Sequence, residues 1–176
     1  LFREAGAPPG LFTVLLVDGS AVESLVNDHR IACVTFTGST PVGRTLASQA
    51  AKALKKQVLE LGGSDAFIVL ADADVDQAAR VAVKARFQNN GQSCIAAKRF
   101  VVVEPVADAF VQRFVEAASR LKLGDPQDES TTLGPMARQD LRDELHAQVQ
   151  ASIARGAKPL LGCSPDGSHA GYPASI

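Results

Sequence analysis

Short apolar runs alternate with amphipathic stretches along most of this chain. Phe12 to Val17 is apolar with β-branched members and is broken by Asp18-Gly19-Ser20, which predicts a buried strand and a turn. Val22, Leu25, Val26 and His29 recur at helical spacing and predict a short helix. Ile31 to Phe36 predicts a second strand. Thr37-Gly38-Ser39-Thr40-Pro41 then offers a hydroxyl cap and a proline for the first helical turn. Val42, Leu46, Ala50, Ala53 and Leu54 form the apolar stripe of the helix that follows. Gln57 to Leu61 predicts a third strand, closed by Gly62-Gly63. The order is βαβαβ, and runs that are apolar without alternation suit a parallel sheet covered on both faces.

After Gly63 the pattern repeats. Ala66 to Leu70 predicts a strand, and Val75 to Phe87 a helix capped by Asp72 or Asp74 and ended by Asn89-Asn90-Gly91. Phe100 to Val103 predicts a strand. Val106 to Leu121 predicts an amphipathic helix with Ala109, Phe110, Phe114, Ala117 and Leu121 inward. A loop runs from Gly124-Asp125-Pro126 to Gly134-Pro135. Leu141, Leu145, Val149 and Ile153 mark a last helix, stopped near Gly156, and Lys158 to Leu161 is a short strand candidate. The glycine- and proline-rich tail from Gly162 is expected to be loop.

Composition narrows the partners. The 176 residues are 46% hydrophobic and 21% charged with a net charge of −1, which supports a packed core and lacks the basic excess of a nucleic-acid or membrane-surface binder. No apolar run approaches the roughly 20 residues of a membrane span. Cys33, Cys94 and Cys163 are widely spaced and include no CxxC pair; an odd, sparse count points to a reducing compartment, the cytoplasm, and no signal peptide is visible. His29, His146 and His169 offer no metal-ligand spacing, so no metal is expected, and His29 and His146 are expected on helix surfaces. The chain opens on Leu1-Phe2-Arg3 and closes on Pro173-Ala174-Ser175-Ile176, ends that suggest cuts through a longer protein.

Three features could carry chemistry. Cys94 lies in the polar loop Gln88-Asn89-Asn90-Gly91-Gln92-Ser93-Cys94, where a thiol can be approached by a ligand. Its plainer reading is a small gap-filling residue, which is also the expectation for Cys33 in its apolar strand; Cys163 has no visible partner. Glu60 ends a strand that otherwise looks buried, where a carboxylate is costly unless paired or poised, and where α/β folds bind ligands. A salt-bridged strand-end glutamate is the alternative. Gly38-Ser39-Thr40-Pro41-Val42-Gly43 follows a strand and opens a helix, so its backbone N–H groups could receive a phosphate. It lacks both the GxGxxG and the P-loop patterns, and a simple capped turn would also explain it. A phosphate-type turn, a strand-end glutamate and a loop cysteine in this order form a far more specific constellation than any one of them.

In these residues the chain resembles the aldehyde dehydrogenase superfamily. The matching motifs are residues 36–43, Leu59-Glu60-Leu61-Gly62-Gly63, Ala71-Asp72-Ala73-Asp74 with Asp76, Asn90-Gly91-Gln92-Ser93-Cys94, Leu123-Gly124-Asp125-Pro126 and Leu133-Gly134-Pro135. The wording of Gly63-Ser64-Asp65 and of residues 89–100 is most similar to bacterial succinate-semialdehyde dehydrogenase-like members.

The resemblance implies an aldehyde dehydrogenase-like α/β fold, a parallel Rossmann-type sheet portion followed by the start of an α/β catalytic domain. Residues 1–62 would be the C-terminal part of the dinucleotide-binding domain and residues 63–176 the N-terminal part of the catalytic domain. It implies oxidation of a small aldehyde, succinate semialdehyde among the candidates, with NAD or NADP. Cys94 would attack the carbonyl to give a thiohemiacetal and then a thioester, with its own N–H as one oxyanion donor. Glu60 would activate the hydrolytic water, a task helped by burial. Gly38, Ser39, Val42 and Gly43 would line the pyrophosphate site, and Leu61 would neighbour the nicotinamide. This reading requires the Cys94 thiol and the Glu60 carboxyl to converge on one pocket.

Several family features have no counterpart here: a second oxyanion donor, an asparagine upstream; the upstream ribose-binding lysine; and the downstream Glu-Phe-Gly-Pro region. An arginine often found six residues before the cysteine in succinate-semialdehyde enzymes is Gln88. The chain therefore reads as the middle third of an enzyme, homo-oligomeric when whole, and is expected to be poorly stable and inactive alone. The rivals are a CoA-acylating member, against which Glu60 argues, and a non-catalytic fragment or pseudoenzyme that only binds nucleotide or partner subunits.

Overall fold

The computed structural model describes residues 1–163. The chain divides into two compact units, Leu1–Gly62 and Gly63–Ile176. Each is an α/β unit built on a parallel strand pair.

The first unit runs α1 (Val22–Asn27), β1 (Cys33–Gly38), α2 (Thr40–Lys52) and β2 (Lys56–Leu61). Strands β1 and β2 pair in parallel from Cys33 opposite Lys56 to Gly38 opposite Leu61. Helix α2 crosses between them and buries Leu46 and Ala50 against Val26, with Val22, Val34 and Phe36 around them. Val42 and Leu54, expected on the same stripe, are exposed; the helix stops at Lys52, and Leu54 takes a left-handed turn into β2.

The expected strand at Phe12 to Val17 does not form. Its apolar side chains are exposed, and among the described residues β1 has only β2 as a ladder neighbour. A strand is stable only when its backbone groups find a ladder, and this stretch has none. The expected βαβαβ is therefore βαβ here. The strands are not covered on both faces either, since only Val34 and Phe36 of β1 and Leu59 and Leu61 of β2 are shielded and the rest are exposed. Cys33 accordingly is exposed rather than buried.

The second unit runs β3 (Ala66–Val69), α3 (Val75–Phe87), β4 (Arg99–Val102), α4 (Glu104–Ala118) and α5 (Gln139–Ala154). Helix α3 starts where the sequence suggests. The Asp74 carboxylate accepts the Gln77 N–H at 2.9 Å, satisfying one of the donors a helix start leaves open. Its inward face presents Ala79 and Ala82, small enough to bring α4 close, and Arg113 of α4 reaches Asp76 at 2.8 Å. The core joins Val69, Ala79, Ala82 and Phe110 to a cluster of rings, with Phe100 5.4, 6.1 and 5.1 Å from Phe67, Phe110 and Phe114. Phe110 is 3% exposed. Ala109 faces solvent, contrary to expectation, because the stripe of α4 runs through Val106, Phe110, Phe114 and Ala118.

One face of this sheet is bare: Ile68 is 63% and Val101 52% exposed. Lys158 to Leu161 is irregular, having no ladder partner among the described residues. Helix α5 ends by Gly156, whose φ of +100° suits a helix stop. His146, expected at the surface, has its Nδ1 buried without a partner. The tail beyond Cys163 and His169 lie outside the described residues.

Candidate active site

The loop that carries Cys94 is shaped by backbone conformations few residues accept. Asn89, Asn90 and Gly91 have φ of +49°, +55° and +73°, three left-handed residues in succession. Asparagine and glycine are the types that enter this region at least cost. At Gly91 a side chain is also excluded by space, since a Cβ would fall on the Arg86 guanidinium. This is why helix α3 ends at Phe87 and the chain turns into an irregular loop.

Side chains then fix the loop from two directions. The Asn90 amide donates to the Pro135 carbonyl at 3.3 Å and accepts the Gly134 N–H at 3.1 Å. The Gln92 side chain accepts the Ala137 N–H at 3.0 Å. Arg86 donates to the carbonyls of Gly91 (2.5 Å) and Ala97 (2.8 Å), clasping both ends of the loop. Partial burial draws the Arg86 guanidinium below its ordinary pKa. Lys98 donates to the carbonyls of Ser93 (3.4 Å), Cys94 (3.1 Å) and Ala96 (3.0 Å). The turn is closed by the Ala96 N–H on the Ser93 carbonyl at 3.1 Å. The Cys94 thiol is exposed. A cavity of about 570 Å³ is lined by Arg86, Phe87, Asn90, Gly91, Lys98 and Gly134 among others, and Cys94 is not in its wall. A carbonyl-binding role for Arg86 and Lys98 was not legible in the sequence, where they read as ordinary charged residues at a helix end and beside a strand.

The other expected site residues lie in the first unit. Ser39 is the N-cap of α2 in extended conformation, and its hydroxyl makes no capping bond. Pro41 removes one N–H from the first turn, and the Gly43 N–H bonds the Ser39 carbonyl at 2.9 Å. The helix start thus keeps donors that its own cap residue leaves free, which fits an anionic group there. Gly38 and Leu61 are register partners, as are Thr37 and Glu60, so the strand-end pair sits directly beside the turn. A Cβ on Gly43 would come within 2.6 Å of a Leu61 methyl, so Leu61 packs over the first turn of α2 only because residue 43 has no side chain. Val42 is exposed at that turn. Glu60 is exposed rather than buried, because it lies on the face of β2 opposite the shielded Leu59 and Leu61. Within this unit Gly38, Ser39, Val42, Gly43, Glu60 and Leu61 gather at one end of the strand pair; Cys94 belongs to the other unit.

The fold and these motifs have close counterparts. The family model described as "Aldehyde dehydrogenase family" matches residues 1–174. The chain is 56% identical over 162 residues to succinate semialdehyde dehydrogenase [NAD(P)+] Sad of Escherichia coli (strain K12), covering 92% of this chain and 35% of that protein. It is 51% identical over 177 residues to succinate-semialdehyde dehydrogenase [NADP(+)] of Mycolicibacterium paratuberculosis, covering 100% of this chain and 38% of that one. A solved structure of succinic semialdehyde dehydrogenase from Streptococcus pyogenes in complex with NADP+ superposes with a TM-score of 0.88 at 38% identity, over 92% of this chain and 36% of that one. The chain thus spans just over a third of the length of these relatives. A family match along almost every residue, on a shared fold, means that the chain belongs to the aldehyde dehydrogenase family.

Proposed function

We propose that this chain is a segment of an NAD(P)-dependent aldehyde dehydrogenase in which Cys94 is the nucleophile. The observation that carries the reading is an exposed thiol on a loop held rigid by Arg86, Asn90, Gln92 and Lys98, in a chain matched by the family over residues 1–174. A positioned, accessible thiol is what addition to a carbonyl needs. The Cys94 thiolate adds to the aldehyde carbon, and the oxygen that gains charge is received by the Cys94 N–H. The nicotinamide, when bound, supplies the acceptor for the hydride lost as the thiohemiacetal becomes a thioester. Glu60 takes a proton from the water that cleaves the thioester and releases the acid. Gly38, Ser39, Val42 and Gly43 would line the pyrophosphate site at the start of α2, where the side chain of Ser39 makes no capping bond, and Leu61 would neighbour the nicotinamide. Residues 1–62 belong to the dinucleotide-binding domain and residues 63–176 to the catalytic domain. The names of the relatives make succinate semialdehyde the first aldehyde to try, and three unpaired cysteines suit a reducing, cytoplasmic setting.

The test is steady-state oxidation by the full-length protein, followed as absorbance of the reduced cofactor with succinate semialdehyde and other small aldehydes. Cys94→Ser is expected to lose on the order of 10³-fold or more in kcat. Glu60→Gln is expected to lose about 10²-fold or more in turnover while still releasing one equivalent of reduced cofactor in a burst, because acylation precedes the step it serves. Full activity in Cys94→Ser would overturn the reading. The 176-residue chain alone is expected to show no turnover, since its bare sheet face at Ile68 and Val101 lacks the cover a stable enzyme requires.

A further inference from the structure

Lys98 has no part in the chemistry just described, yet its ammonium is fully engaged. It carries three N–H donors and meets three carbonyls, those of Ser93, Cys94 and Ala96, on the single turn that holds the nucleophile. Its neighbour Arg86 takes the carbonyls of Gly91 and Ala97. Five carbonyls of residues 91–97 are thus committed to two cations.

Peptide planarity turns this into a statement about the donors. No peptide bond here is cis, so each C=O points opposite to the N–H of the following residue. The Ser93 carbonyl is pinned by both Lys98 and the Ala96 N–H, which fixes the plane it shares with the Cys94 N–H. The Cys94 carbonyl, also on Lys98, likewise fixes the Ile95 N–H. Both N–H groups are thereby aimed away from the ammonium, and among the described residues neither has an acceptor.

From this geometry we infer that Lys98 is a positioning residue: by gathering the carbonyls of the nucleophile turn on one side, it presents the Cys94 N–H, with the Ile95 N–H beside it, to the oxygen that becomes charged during addition. The inference rests on the proposed role of Cys94. Lys98 never touches substrate. It preorganises a backbone dipole, which is the part of oxyanion stabilisation that must be in place before reaction.

The experiment compares Lys98→Met and Lys98→Arg with the unaltered full-length enzyme. Kinetics of aldehyde oxidation are paired with the rate of Cys94 alkylation by iodoacetamide. Alkylation is a displacement that develops no oxyanion, so it reports the thiol without the N–H. Lys98→Met is expected to lower kcat about tenfold or more, to leave KM for the aldehyde within about threefold, and to leave alkylation within about threefold. Lys98→Arg, which can still donate to carbonyls, is expected to recover most of kcat. The inference is overturned if Lys98→Met keeps kcat within twofold, if alkylation falls in parallel with kcat, or if Lys98→Arg is as slow as Lys98→Met. Wild-type turnover in Cys94→Ser would instead sink the underlying assignment of the nucleophile, so the two failures are distinct.

Discussion

The two units shape their candidate sites with different materials. At the start of α2 the groups on offer are backbone N–H donors, and the side chains stand aside: Ser39 makes no capping bond, and residue 43 is a glycine under Leu61. Around Cys94 the backbone is held in place by side chains, with Arg86, Asn90, Gln92 and Lys98 all spent on peptide groups. A helix start is regular and needs only to be left open. An irregular turn with three left-handed residues is not stable by itself and has to be braced from outside. A helix start can offer its donors by omission, whereas an irregular loop around a thiol must be built.

The contrast makes graded expectations. The largest effect should come from the core of the second unit. Phe110→Ala removes a buried ring from the cluster with Phe100 and Phe114 and is expected to destabilise the protein by about 3–5 kcal/mol in urea unfolding. The two site glycines should separate next. Gly91→Ala meets both a positive φ and the Arg86 guanidinium, and is expected to cost about 1–3 kcal/mol and to alter the rate of Cys94 alkylation. Gly43→Ala meets only the end of the Leu61 side chain and has no unfavourable φ. It is expected to cost under about 1 kcal/mol in stability while weakening NAD(P) binding about tenfold, read by cofactor titration. If both glycines behave alike, the distinction between an open site and a braced one fails.

The helix caps give a smaller contrast. Asp74→Ala removes a capping bond at α3 and is expected to cost about 1 kcal/mol in thermal unfolding. Ser39→Ala removes a hydroxyl that caps nothing at α2, and is expected to stay within about 0.5 kcal/mol. The smallest effect should lie at Asp28. Hydrogen bonds from the Arg30 side chain and backbone N–H hold its carboxyl well below the ordinary value of 3.8. A depressed carboxyl stabilises the folded state above its unfolded value and ceases to do so as pH falls. The melting temperature of Asp28→Asn should therefore lie slightly below wild type at neutral pH, and the gap should begin to close as pH drops past about 3.8.

Local pattern was a good guide wherever one element decides its own shape. Helix α3 runs Val75–Phe87 with its cap at Asp74, and Asn89-Asn90-Gly91 ends it, because spacing, capping chemistry and left-handed propensity are all written within one short stretch. Phe12 to Val17 and Lys158 to Leu161 carry strand-like residues but no ladder partner, and a ladder is not a local property. The exposure of Cys33 and Glu60 follows from the same cause: an apolar run announces a strand without saying which of its faces is covered. The motif letters around Cys94 were legible. Their bracing was not, since Asn90 reaches Gly134 and Pro135 across 44 and 45 residues, and Lys98 differs in no local respect from a solvated lysine.

That long reach has a consequence for the order of assembly. The loop takes its final form only when the stretch around Gly134–Ala137 docks against Asn90 and Gln92. On the ribosome this stretch emerges well after the cysteine, once α4 has been made. The conformation of the Cys94 loop is thus completed late in synthesis, after the whole of α3, β4 and α4.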